Sequence, residues 1–133
     1  MSVTFATATT LPDGTIDSRC PTGCDTYENP CDRCALSVNV ANGNAVLILE
    51  RLGLDSGEYG IYGEAPAADF LGRALLGNVG RDDSGTAATA DQLEGQATII
   101  DCGIRAGYFG DTLGRLADLA DYASRNGLLI SWG

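Results

Sequence analysis

The chain alternates between short β-prone runs and helical apolar stripes. Residues 3–10 (Val-Thr-Phe-Ala-Thr-Ala-Thr-Thr) are rich in β-branched and aromatic side chains and predict a strand. Pro12-Asp13-Gly14 then signals a turn, since proline presets φ and glycine accepts a positive one. Residues 15–18 begin a returning strand, which makes a hairpin. Residues 19–34 hold four cysteines and almost no aliphatic side chain, so they read as an irregular loop that something other than a core must hold. Residues 35–38 form a short apolar stretch leading into a helix, with Asn39, Asn42 and Asn44 as candidate N-caps. Ala45, Ile48, Leu49 and Leu52 follow at i, i+3, i+4 and i+7, one helical face, and Gly53 suits the position after its end.

Residues 54–64 are punctuated by Gly57, Gly60 and Gly63 with Tyr59 and Tyr62, and read as a tight connection. Pro66 suits the first turn of a second helix, whose period is kept by Ala67, Phe70, Leu71, Ala74 and Leu75. Residues 78–96 are polar, small and acidic and predict a flexible acidic loop with no regular element. Residues 97–102 are a strand candidate around Ile99 and Ile100, and residues 104–108 a glycine-bearing turn. A third helix is expected from Asp111 or Thr112, with Leu113, Leu116, Ala117, Ala120 and Ala123 inward and Arg125-Asn126-Gly127 at its end. Residues 128–132 predict a terminal strand, in which Trp132 packs inward; the alternative for this single tryptophan is an aromatic lid over a ligand or a partner contact. The sum is a single α+β domain over residues 1–133: about three helices on a small sheet, with a cysteine-rich N-terminal loop clipped by a metal. Its expected core is Ile48, Leu49, Leu52, Phe70, Leu71, Leu113, Leu116 and Ile130.

Composition narrows the chemistry. At 133 residues, 44% hydrophobic and 20% charged, the chain is long and apolar enough to bury a core. It has no histidine, and all eight of its cations are arginine. Histidine-based acid–base catalysis, Ser/His/Asp and Cys/His triads, lysine Schiff bases and a P-loop lysine are thereby excluded. The net charge of −10 opposes direct contact with nucleic-acid phosphates. No run approaches 18 apolar residues, so no membrane span is expected. The segment Met1-Ser2-Val3-Thr4-Phe5 lacks the basic and apolar regions of a secretory signal, which points to a cytoplasmic protein. Arginine without lysine fits a high-GC genome better than a halophile, because 18 acidic residues are only a moderate number.

Cys20, Cys24, Cys31 and Cys34 read C-x3-C-x6-C-x2-C. Four thiolates this close in sequence can close a tetrahedral Zn²⁺ shell. With four protein ligands such a site has no open position and is structural. The alternatives are two disulfides or unliganded thiols; the absence of an export signal argues against the first. Cys102, alone in a strand candidate, reads as a small buried hydrophobe.

Asparagine is a poor helix former, so the run Asn39-Val40-Ala41-Asn42-Gly43-Asn44 needs a reason. Capping and a tight turn supply one. The functional alternative is a polar patch at a helix N-terminus that grips a small anionic or nucleotide-like ligand, with Arg105 and Tyr108 completing it. Asp111, Asp118 and Asp121 read as a solvated helix face.

Asn39-x-x-Asn42-x-Asn44, Leu52-Gly53-Leu54, Tyr62-Gly63, Cys102-Gly103-x-x-x-Gly107-Tyr108 and Ser131-Trp132-Gly133 together resemble a family of small proteins from actinobacteria and their phages. The resemblance spans residues 20–133. It implies a phage or high-GC bacterial context, the cytoplasm of the host cell, and carries no assigned activity.

The expected function is that of a small acidic, non-enzymatic binding protein, a phage accessory or anti-defence factor that occupies a protein partner. The alternatives are a protein that sequesters a small nucleotide-like ligand through Asn39, Asn42, Asn44, Arg105 and Tyr108, and a virion or assembly component.

Overall fold

A computed structural model describes residues 2–24, 28–57, 60–77, 89–93, 97–101 and 107–133. In chain order the elements are β1 (Ser2–Thr10), β2 (Ile16–Asp17), α1 (Asp32–Ala35), β3 (Val38–Ala41), α2 (Asn42–Leu52), β4 (Gly63–Pro66), α3 (Ala67–Gly77), β5 (Thr89–Leu93), β6 (Ala97–Asp101), α4 (Tyr108–Arg125) and β7 (Leu129–Trp132). The fold is α+β, as the sequence predicts.

The Pro12-Asp13-Gly14 turn is real. Asp13 Oδ1 accepts from the Thr15 amide at 3.0 Å and from its hydroxyl at 2.6 Å, and β2 returns antiparallel to β1. β1 is the central strand of a five-stranded antiparallel sheet. Residues 2–5 of β1 pair with β3, residues 5–8 with β7, and Thr9 and Thr10 with β2. β4 adds to the far side of β7. β5 and β6 form a ladder of their own.

Register sorts the side chains by face. Phe5 lies opposite both Val38 and Trp132, Val3 opposite Val40, and Ala65 opposite Ile130. All seven are buried, because α2, α3 and α4 cover this face. Ile48, Leu49, Leu52, Phe70, Leu113, Leu116 and Ile130 fill the core as expected. Phe5, Phe70 and Trp132 form an aromatic cluster with ring centroids 6.1–6.2 Å apart. Trp132 is 6% exposed and lies against Gly63, where a Cβ would come within 2.5 Å of the indole. Glycine at that position is a steric requirement. Arg73 of α3 donates to the carbonyls of Leu52 and Gly53 at 3.0 and 3.2 Å, placing a cation at the C-terminus of α2.

Several expectations are corrected. Residues 35–38 do not lead straight into a helix: β3 intervenes, with Val38 and Val40 inward and Asn39 and Ala41 outward. The N-cap of α2 is Ala41, with no side-chain cap, so none of Asn39, Asn42 and Asn44 caps it. Pro66 ends β4 instead of opening α3. An edge strand tolerates proline because the missing N–H would face away from the ladder. Leu71 is half-buried and Leu75 exposed; Ala67, Phe70, Ala74 and Gly77 form the inner stripe of α3. α4 begins at Tyr108, three residues before Asp111, and buries Phe109 and Leu119 as well. β5 lies inside the stretch expected to hold no regular element. The rest of that acidic loop, residues 78–88 and 94–96, lies outside the described residues, as do Cys102 and Arg105.

Candidate metal centre

The cysteine arm leaves the sheet at the end of β2. Asp17 anchors it: Oδ1 accepts from the Arg19 amide at 3.0 Å and from Arg19 Nε at 2.9 Å. The chain then makes a knuckle, Cys20-Pro21-Thr22-Gly23-Cys24, closed by the Gly23 amide on the Cys20 carbonyl at 3.3 Å. Gly23 takes φ +64° there, a left-handed conformation that glycine adopts without strain. The second knuckle is helical. Cys31 is the N-cap of α1, the Ala35 amide returns to its carbonyl at 2.9 Å, and Cys34 falls on that single turn. Composition predicts a wholly irregular segment, but it contains a helical turn one C-x2-C spacing long.

The two knuckles bring Cys20, Cys24, Cys31 and Cys34 together, with all four sulfurs within 4.8 Å of one another. Cys20 Sγ lies 3.5 Å from Cys24 Sγ and 3.7 Å from Cys31 Sγ. A tetrahedral ion with bonds of about 2.3 Å to sulfur separates its ligands by about 3.8 Å. A disulfide needs about 2.05 Å. The cluster therefore has the dimensions of a metal shell, and the four thiols are free.

Its electrostatics agree. The Thr22 hydroxyl, 3.1 Å from Cys20 Sγ, and the amides of Cys24 and Thr22 stabilise the Cys20 thiolate and bring its pKa down to about 5. The Cys34 amide lowers Cys31 in the same way. Cys24 moves up: the Cys31 amide favours its thiolate, but desolvation and the adjoining sulfurs of Cys20 and Cys31 outweigh that. Desolvation, with the three neighbouring sulfurs, pushes Cys34 strongly up. Four thiolates this close repel one another, and a bound cation removes the conflict. The arrangement can hold a metal ion with four sulfur ligands.

Arg33, between the second pair of cysteines, was not singled out by its sequence. Its Nε donates to Thr7 Oγ1 and its Nη2 to the Thr7 carbonyl at 3.1 Å, so the knuckle is hydrogen-bonded to the central strand. Only the pairing of β1 reveals this role.

The other candidate ligand residues are dispersed in part. Asn44 Nδ2 donates to the Tyr108 hydroxyl at 3.2 Å, which brings the first turns of α2 and α4 together. Asn42 is half-buried at the start of α2. Asn39 lies on the other face of the sheet, where its amide donates to Ser2 Oγ at 3.1 Å and Thr4 Oγ1 at 2.8 Å. Among the described residues no helix is long and apolar enough to cross a membrane. Comparison with protein-family models, with curated proteins and with solved structures finds no match to this chain.

Proposed function

We propose that the four cysteines hold a structural Zn²⁺ and that the chain is a non-enzymatic binding protein that acts by occupying a protein partner. The reading rests on one observation, the closed set of four sulfur donors. Soft thiolates select zinc or iron over magnesium and calcium. Zinc adds no redox chemistry, and four protein ligands leave it no position for water or substrate. A metal so held orders the arm, which has too few apolar side chains to order itself. The exposed surface that results is available for recognition.

The net charge of −10 favours a basic surface on the partner. Arginine without lysine and the resemblance to small actinobacterial and phage proteins support a role as a phage accessory or anti-defence factor in the cytoplasm of a high-GC host. The test is to express tagged protein in such a host and analyse the purified material by native mass spectrometry. One zinc per chain and one stoichiometric partner subunit are expected. A metal-free chain contradicts the zinc reading, and a zinc-loaded chain with no partner contradicts the binding role.

A further inference from the structure

We propose that the outer face of the sheet, where it meets the metal centre, receives an arginine or lysine side chain from an extended basic segment of the partner. The proposal deepens the binding reading above and rests on its zinc. A cleft of about 970 Å³ lies between that face and the cysteine arm. This is the size of a ligand site.

The floor is built for contact with a chain. Ser2, Thr4 and Ala6 follow one another along β1 on one face, beside Ser131 of β7. They are small, so a guest can approach the sheet closely. They repeat about every 6.8 Å, the spacing at which an extended guest presents alternate side chains. Asn39 spends its two amide hydrogens on Ser2 and Thr4. Its Oδ1 is left as an acceptor for an incoming donor.

The charges select a cation. Cys20 and Cys34 line the cleft. Four thiolates around a divalent ion carry a net charge of −2. Arg19, the one cation in the lining among the described residues, is held by both oxygens of Asp17, at 2.9 and 3.1 Å, so its charge is compensated. Next to the cleft, though not part of its lining, Glu64 of β4 lies opposite Ser131 in register and is exposed, with no ion pair among the described residues. An anionic guest would meet the centre, Glu64 and the overall charge of −10 together. A guanidinium or ammonium meets oxygen acceptors and negative charge.

The test uses full-length zinc-loaded protein labelled with ¹⁵N. It is titrated with end-capped Gly-Arg-Gly-Arg-Gly, with the matching glutamate peptide and with spermidine. Saturable amide shifts at Thr4, Asn39 and Ser131 are expected with the arginine peptide alone. Ala6→Trp, which fills the trough, and Ser131→Arg, which places a cation in it, should each weaken binding at least tenfold. Glu64→Gln should weaken it several-fold. Shifts that are absent or spread over the acidic surface, equal binding of the glutamate peptide or of spermidine, or unchanged binding by whichever of the two blocking variants folds would overturn the proposal. Native mass spectrometry of the same sample separates the two readings. A chain without metal removes the zinc and this proposal together. A zinc-loaded chain without saturable shifts removes this proposal alone.

Discussion

Arg33 joins the cysteine centre to Thr7, a residue of the central strand that is only 2% exposed. The contact falls between the two stretches of β1 that pair with β3 and with β2. A guanidinium fork there serves a hydroxyl and a carbonyl at once. The cysteine cluster is thereby hydrogen-bonded to the fold's central strand and is more than a clip on its own loop.

Arg33→Ala should cost about 1.5–3 kcal/mol, the usual worth of hydrogen bonds from a charged group to a buried partner. Arg33→Lys should not restore it, since an ammonium cannot reproduce the fork. Chemical denaturation of both variants checks this. Zinc content should stay unchanged in each.

Cys31→Ser should release the arm without unfolding the domain. Hydrogen exchange should rise across residues 19–24 and 28–36 and around Thr7, while the inner faces of α2 and α4 stay protected. Uniform loss of protection would show instead that the whole fold depends on the metal.

The core makes a sharper demand. Leu49 and Leu116 are 0% exposed, and truncating either to alanine should cost about 2–5 kcal/mol. Gly63→Ala should cost about 1–3 kcal/mol through overpacking, because the added methyl meets the Trp132 ring. Tryptophan fluorescence reports both the unfolding and the displaced indole.

Acid should loosen the arm. The Cys20 thiol is held at about 5 in the folded chain, below an ordinary value of 9.0. A group whose pKa is lowered by folding contributes most above its unfolded value, and the contribution falls as protons return. It is fully present above pH 9, declines through neutrality, and is gone below about pH 5. Protons also compete with the metal for the thiolates. Metal released into a chromogenic chelator should therefore rise steeply as pH is lowered toward 5, and Thr22→Ala should move that release to higher pH.

Where one physical signal dominates, the sequence reads well. The β-branched run of β1 and the stripe from Ala45 to Leu52 each have one ready interpretation, and the structure agrees. The C-x3-C-x6-C-x2-C spacing leaves a metal, disulfides or free thiols open, and the structure gathers its four sulfurs into a set that can hold a metal ion. Val38-Asn39-Val40-Ala41 has the alternation of a strand, but four residues are short, and asparagine beside a helix reads equally well as a cap. Pro66 suits the start of a helix and the end of an edge strand alike, and only the pairing with Leu129 decides. β5, Thr-Ala-Asp-Gln-Leu, has little intrinsic preference for a strand and is defined by its partner β6. The contact of Arg33 with Thr7 and the grouping of Ser2, Thr4, Asn39 and Ser131 on the outer face are set by register, a long-range property that local pattern does not carry.

The central claim is that Cys20, Cys24, Cys31 and Cys34 share one zinc ion. The most direct measurement is native mass spectrometry of reduced, freshly purified protein, repeated after acid denaturation. The expected native species is heavier than the bare chain by one zinc less the protons it displaces, and acid returns it to the mass of the fully reduced chain. A native mass equal to the bare chain, or a chain lighter by four hydrogens in both spectra, would contradict the claim, the latter by showing two disulfides in place of the metal.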